Sequence, residues 1–168
     1  GYYDTFGPEL SFGRTLQGKG SGNIAIAKFT HSGSQIIDWT PEGSMAKDRH
    51  LYPRFIAFVK ESIAELEAKG NDVDLAGVFY HLGENDMSFH PYRKDAATRL
   101  QAIVEQSRKD LGMPKLKWFV SQQPPTDVER LNKLDVVGDV AKVAADDHGL
   151  IHLEVFDLPP QEKRLVIR

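Results

Sequence analysis

The sequence predicts an α/β fold, a three-layer αβα sandwich with a parallel sheet between two layers of helices. Helix-like and strand-like segments alternate along the chain, a pattern typical of right-handed crossovers between parallel strands. The strand-like segments are apolar almost throughout, as expected for strands that are covered on both faces. With 168 residues, 40% of them hydrophobic and 27% charged, the chain is predicted to form a single domain over 1–168.

Four strands are predicted from short runs of β-branched, aromatic and other apolar residues bounded by turn formers. They lie at about 24–30, 75–82, 116–121 and 150–156. The second is the most informative, because its apolar run leads directly into Gly83-Glu84-Asn85-Asp86. Ligands of parallel sheets collect at the carboxyl ends of the strands, so these polar residues are candidates for a functional cluster. They are also ordinary loop residues, and the local sequence favours neither interpretation.

Four helices are predicted, at about 8–17, 52–69, 92–111 and 128–146. The clearest begins at Tyr52, where apolar residues recur at helical spacing and Gly70 follows the last turn. Gly112 and Pro114 are the stop signals of the third helix. The order of elements is therefore helix then strand, repeated four times.

Composition argues against several kinds of partner. The net charge is −3 and the lysines and arginines are scattered, so no basic stripe indicates nucleic acid. The absence of cysteine excludes disulfides and thiolate metal sites. His148 and His152 lie near the last predicted strand without a placed acid, so neither a metal site nor a cofactor is expected. No apolar run is long enough to span a membrane, and no membrane partner is expected.

Both ends of the sequence look like cut ends. The chain starts on a turn-rich segment and a helix where the alternation calls for a first strand. It finishes on the apolar fragment 165–168 without a closing helix. We therefore expect a fragment that is truncated at both ends and lacks the first strand of its sheet.

Three blocks of the sequence stand out together. They are Phe-Gly-Pro-Glu-Leu-Ser-Phe-Gly-Arg-Thr-Leu at 6–16, Lys-Phe-Thr-His-Ser-Gly-Ser-Gln-Ile-Ile-Asp-Trp at 28–39, and Val-Phe-Tyr-His-Leu-Gly-Glu-Asn-Asp at 78–86. In order and spacing they resemble the sialate O-acetylesterase-like carbohydrate esterases of the SGNH hydrolase superfamily, over about the first half of the chain. The resemblance implies an SGNH-type, flavodoxin-like αβα fold and a serine esterase that removes acetyl groups from sugars.

The resemblance also implies roles for individual residues. Gly33 matches the glycine whose backbone amide donates to the oxyanion, and Asn85 matches the asparagine whose side-chain amide is the other donor. Glu84 matches the acid that orients or charge-balances the catalytic histidine. Further residues of these blocks are predicted to contact the substrate: His31, Ser32, Trp39, His81 and Asp86.

Most of these side chains have a structural interpretation as well. His31 either braces its own loop or lies at the rim of a pocket, and His81 either points into the core or stands beside the acid. Trp39 suits packing as well as stacking on a sugar. Ser32 and Ser34 lie where the resembling family places oxyanion donors, so neither is predicted to be the nucleophile.

The chain also departs from the family pattern. Leu82, Tyr80 and Ser32 stand where the family has glutamine, tryptophan and the first glycine of a pair. The sequence contains no Gly-x-Ser-Asn or Gly-Gln-Ser block for the nucleophile and no Asp-x-x-His block near the carboxyl end, and no serine is predicted to pair with a histidine at the strand ends that face Asn85. We therefore expect this chain, as it stands, to lack the nucleophile and the general base and to be nearly inactive on acetyl esters.

Two functions are compatible with these observations. The first is a carbohydrate O-acetylesterase in the intact protein, with an acetylated carbohydrate as its partner. The second is a non-catalytic carbohydrate-binding or interaction module on the same fold, and the fold alone does not decide between them. The family resemblance further implies a secreted or periplasmic protein, and nothing in the sequence indicates an oligomeric state.

Overall fold

A computed structural model describes residues 9–19, 22–87, 90–121, 150–154 and 166–167 of the chain. The chain forms two compact units, residues 1–30 and residues 31–168. The single domain over 1–168 stays a prediction. The helix expected at 128–146 lies outside the described residues.

The described residues of the first unit include the helix α1 (Glu9–Gly18), which confirms the helix predicted at 8–17. The strand predicted at 24–30 is wrong, because this segment forms neither strand nor helix. Its apolar residues are largely exposed, and Ile26 has 44% of its surface accessible. A strand exists only where a neighbouring strand accepts its backbone hydrogen bonds, and the apolar pattern of a segment carries no information about that neighbour.

The second unit is built on a four-stranded sheet in the order β1-β2-β3-β4. Its strands are β1 (Val78–His81), β2 (Trp118–Ser121), β3 (Leu150–Glu154) and β4 (Val166–Ile167). The first three are parallel, as predicted, although β1 and β2 are shorter than their apolar runs. The α/β class is therefore confirmed.

The all-parallel sheet is wrong at its last strand, because β4 pairs with β3 in the antiparallel direction. β4 lies in the apolar fragment at 165–168, whose two-residue strand is too short to show a period. A run this short does not distinguish a parallel from an antiparallel partner.

The two long helices of this unit are α2 (Tyr52–Ala68), which precedes β1, and α5 (Ala96–Asp110), which lies between β1 and β2 in the sequence. α2 confirms the helix predicted at 52–69. The helix predicted at 92–111 is divided into α4 (His90–Lys94) and α5, because Asp95 leaves helical geometry with φ −101° and ψ 1°. Aspartate is a poor residue for a helix interior, which is consistent with the break, although the Asp95 side chain makes no capping hydrogen bond here.

The core of this unit lies between α5 and one face of the sheet. Trp118 and Val120 of β2 pack against buried α5 residues that include Leu100, Ile103 and Val104. On the opposite face Phe79 and Phe119 stack with ring centroids 6.4 Å apart. A second layer of helices on that face, and with it the three-layer SGNH arrangement, stays a prediction.

Candidate functional site

Two segments meet at the carboxyl end of β1, residues 31–36 and residues 83–86. Asn85 Nδ2 donates to Ser34 O at 3.3 Å. Both carboxylate oxygens of Asp86 accept the Ile36 N–H, at 3.0 and 3.1 Å. Asn85 and Asp86 lie on the single-turn helix α3 (Glu84–Met87), in a segment predicted to be a loop. The resemblance assigns Gly33 and Asn85 to one oxyanion, which requires that their segments be neighbours, and the hydrogen bond from Asn85 to Ser34 shows that they are.

All four carbonyl oxygens from Ser32 to Gln35 accept a hydrogen bond. The donors are His31 Nδ1 at 3.1 Å to Ser32 O, Arg49 Nη1 at 2.8 Å to Gly33 O, Asn85 Nδ2 at 3.3 Å to Ser34 O and the Asp38 N–H at 3.0 Å to Gln35 O. Because a carbonyl oxygen only accepts, the His31 contact requires the proton on Nδ1. The peptide planes of this loop are therefore held in place by partners along its length.

The backbone N–H groups of the same loop divide into two pairs. Gln35 donates to Asp38 Oδ2 at 2.9 Å and Ile36 donates to Asp86. Those of Gly33 and Ser34 have no hydrogen-bond partner within the part of the chain that the structure describes. Gly33 has φ 65°, the left-handed conformation in which successive N–H groups form anion-binding concavities. Two adjacent backbone donors are thus available beside Asn85.

Ser34 takes part in the hydrogen bonds of its own loop. The residue is 2% exposed, and its Oγ donates to His31 O at 2.9 Å and accepts the Trp39 Nε1–H at 3.0 Å. Trp39 is half-buried and packs against the core, whereas Ser32 is exposed. The described contacts of His31 and Trp39 are therefore within the molecule, and their contacts with a substrate stay predictions.

Asp38 and Arg49 form an anchor of the loop that the sequence analysis missed. Asp38 is 1% exposed, and its Oδ2 lies 3.3 Å from Arg49 Nη1. Arg49 comes from the end of a turn-rich excursion, and no local pattern connects it to Gly33. Asp38 stands three residues after Gln35 at the start of the 3-10 helix Ile36–Trp39, and this capping spacing is a signal that could have found it.

Asp86 is a buried carboxylate, with 1% of its surface exposed. Burial raises the pKa of Asp86 from 3.8 to about 6, because the charged form loses its hydration. The Ile36 N–H and the charge of Arg99 act in the opposite direction, whereas the charge of Asp38 adds to the rise.

A serine and a histidine meet where β1 and β2 end. His81 and Ser121 are register partners, and His81 Nδ1 lies 2.5 Å from Ser121 Oγ. The sequence analysis did not find this pair, because register across two strands is not visible in either strand alone, and the absence of a pair that faces Asn85 stays a prediction. Aligning the predicted ends of the two strands would have found the pair. Ser121 is 3% exposed. Because a nucleophile must reach its substrate, we assign this buried hydroxyl a structural role at the end of the sheet.

Glu84 begins α3, and its side chain lies outside the described part of the structure. Among the residues that are described, no group of three or more histidine, aspartate or glutamate side chains could hold a metal ion. Within the same residues, no helix is both long enough and apolar enough to cross a membrane.

Replacing Gly33 with alanine should lower the free energy of unfolding by about 1–2 kcal/mol, the cost of left-handed backbone for a residue with a Cβ. A Cβ at this position would meet only Arg49 Nη2, at 3.7 Å, so no clash adds to the strain. Gly112→Ala is a matched control, since Gly112 has φ 67° and no atom within 4 Å of the added Cβ. Urea unfolding of both variants is the measurement, and a much larger loss at Gly33 than at Gly112 would contradict this account.

The profile of a family of carbohydrate esterases, described as sialic acid-specific acetylesterases, matches residues 2–160. The match covers most of the chain, which therefore belongs to this family of carbohydrate esterases. The resemblance found in the sequence is confirmed.

A crystal structure of a protein from Arabidopsis thaliana is similar to the chain, with a TM-score of 0.70 and 17% sequence identity. The match covers 99% of this chain and 63% of that protein, so the chain spans less than two thirds of its length. At this identity the similarity concerns the fold alone. No curated protein sequence matches the chain.

Proposed function

We propose that this chain carries the oxyanion-binding part of a serine esterase that removes O-acetyl groups from carbohydrates. The observation that carries the proposal is the hydrogen bond between Asn85 and Ser34 O, because it brings a side-chain amide next to the open N–H groups of Gly33 and Ser34. Membership of a carbohydrate esterase family supports an acylated sugar as the class of substrate.

In serine-catalysed ester hydrolysis the serine hydroxyl attacks the ester carbonyl and an imidazole takes its proton. The carbonyl oxygen then gains a negative charge, which donors already aimed at it stabilise without having to reorganise. The N–H groups of Gly33 and Ser34 and the Asn85 amide are the donors that we assign to this oxygen. The bonds that hold the neighbouring carbonyls supply the rigidity that such donors require.

The other residues surround this oxyanion site in the proposal. Glu84 orients the catalytic histidine, and His31, Ser32, Trp39 and His81 form the side that faces the sugar. The serine and histidine themselves belong to the two family blocks that the sequence analysis did not find. The alternative function, a sugar-binding module without catalysis, uses the same surface.

The test compares the purified chain with Asn85→Asp in the hydrolysis of 4-nitrophenyl acetate and of an O-acetylated sugar. Aspartate has the shape of asparagine, but its carboxylate donates no hydrogen bond and repels an oxyanion. We expect the chain to retain only residual turnover, on the order of a thousand-fold over water. Asn85→Asp should lower this turnover to the uncatalysed rate.

Gln101→Ala is the control, because Gln101 is an exposed amide on α5 whose described side-chain hydrogen bond is to Glu105, one turn away. Turnover that Asn85→Asp leaves unchanged would remove Asn85 from the oxyanion site. Turnover at the level of an intact enzyme would show that a nucleophile lies within these 168 residues, against our expectation. If the chain binds the acetylated sugar, and Asn85→Asp does not change the rate of hydrolysis, the result would favour the binding module.

A further inference from the structure

Asp86 is the residue of the site whose position the esterase mechanism does not by itself explain. Its side chain is 1% exposed, and both of its oxygens are directed at one backbone N–H, that of Ile36. Asn85, the next residue along α3, holds the carbonyl of Ser34 in the same loop. The single turn of α3 is therefore hydrogen-bonded to the 31–36 loop at two positions, Ser34 and Ile36.

We propose that Asp86 is a positioning residue, which holds the 31–36 loop beside Asn85 through the Ile36 N–H and so keeps the Gly33 and Ser34 N–H groups directed at the ester oxygen. The proposal rests on the proposed function for the identity of that oxygen. The positioning of the loop by Asp86 does not depend on that function, because it is inferred from the hydrogen bonds of Asp86 to the Ile36 N–H.

The geometry explains why a carboxylate stands at this position. An oxyanion site works only if its donors keep a fixed separation, and here one donor lies on α3 while two lie on the loop. The Asp86 hydrogen bonds to Ile36 join these two pieces of chain two residues away from the Asn85 contact at Ser34. A charged acceptor makes a stronger bond to a backbone N–H than a neutral one, which suits this purpose.

The charges around Asp86 come from two other elements. Arg99 on α5 stabilises the ionised carboxylate, and Asp38 on the 3-10 helix opposes it, while Arg49 balances Asp38. With a pKa of about 6, Asp86 is ionised at neutral pH and becomes protonated in mild acid. Protonation weakens the acceptor and should therefore loosen the loop below about pH 6.

The experiment measures hydrogen exchange and pH titration of backbone amides by NMR in the ¹⁵N-labelled chain. In Asp86→Ala the Ile36 amide should exchange at least about tenfold faster than in the wild type, and the Gly33 and Ser34 amide signals should shift. In Asp86→Asn, which keeps one acceptor oxygen, exchange at Ile36 should be intermediate. Asp72→Asn is the control, since Asp72 is an exposed acid with no described contact to the loop.

The pH titration keeps the proposal testable if Asp86→Ala fails to fold. The wild-type Ile36 amide signal should titrate with a midpoint near pH 6, and in Asp86→Asn this titration should vanish. In the wild type the rate of residual hydrolysis should fall as the pH is lowered through the same range. In Asp86→Asn this pH dependence should be absent, a change that a merely structural residue would not produce.

The two proposals fail in different ways. An Ile36 amide that neither titrates near pH 6 nor responds to substitution of Asp86 would overturn the positioning role. Hydrolysis that is insensitive to Asn85→Asp would overturn the proposed function, whatever the Ile36 amide shows. A loop that responds to Asp86 while the pH profile of hydrolysis stays the same in Asp86→Asn would also overturn the positioning role.

Discussion

Replacing Trp118 with alanine should lower the free energy of unfolding by about 3–5 kcal/mol, the range measured for large aromatic residues in protein cores. Trp118 is 1% exposed and is the first residue of β2. Its ring lies 6.1 Å from that of Phe55 in an edge-to-face arrangement and 6.0 Å from that of Tyr80, measured between centroids. Alanine would leave a cavity between the sheet and its helices that close-packed neighbours fill only in part.

Two further variants separate this loss from other effects. In the part of the chain that is described, Trp118 Nε1 is buried without a hydrogen-bond partner, so Trp118→Phe also removes an uncompensated polar group and should cost much less. Phe79→Ala on the opposite face should also have a smaller effect, because Phe79 is 39% exposed. Denaturant unfolding gives all three values, and a loss below about 2 kcal/mol in Trp118→Ala would place the core elsewhere.

Replacing Asp86 with asparagine should increase the free energy of unfolding at pH 7.5, by up to about 3 kcal/mol for a pKa that rises from 3.8 to about 6. The raised pKa means that the folded state holds the proton more tightly than the unfolded state does. Asp86 therefore contributes its full stability below about pH 4, and this contribution is lost as the pH rises through 6. At neutral pH the ionised, buried carboxylate is a destabilising group that asparagine removes.

The measurement is the difference in unfolding free energy between Asp86→Asn and the wild type at several pH values from 4 to 8. The difference should be largest above pH 7 and shrink towards pH 4, and taking the difference cancels the titration of the other carboxylates. A variant that is less stable than the wild type at pH 7.5 would contradict the raised pKa. Gained stability together with slower residual hydrolysis is the pattern expected of a residue that serves a site at the expense of the fold.

The parts of the fold that could be predicted are those that local sequence determines. β1 and β2 are apolar runs bounded by turn formers, and α2 has an apolar stripe and a terminal glycine, so their existence is visible in a short window. The segment at 24–30 has the same composition, but pairing depends on a distant part of the chain. The break at Asp95 is a local feature as well, and it was overlooked because the apolar spacing of α5 extends across it.

The site shows the same division. Asn85 and Gly33 could be named because short blocks around them resemble a family, and the structure places their loops in contact. Arg49 and Ser121 act through contacts with residues far from them in sequence or in a neighbouring strand. No local spacing rule relates such residues, whereas Asp38 stands at a capping spacing from Gln35.

The two tryptophans of the chain, Trp39 and Trp118, occupy environments that their fluorescence would distinguish. Trp118 lies in the dry interior, so its emission follows the packing of the core. The Trp39 indole donates to Ser34, whose own backbone N–H is one of the open donors. In Trp118→Phe all indole emission comes from Trp39 at the edge of the 31–36 loop. Binding of a ligand there can then be followed by the intrinsic fluorescence of the protein, without an added label.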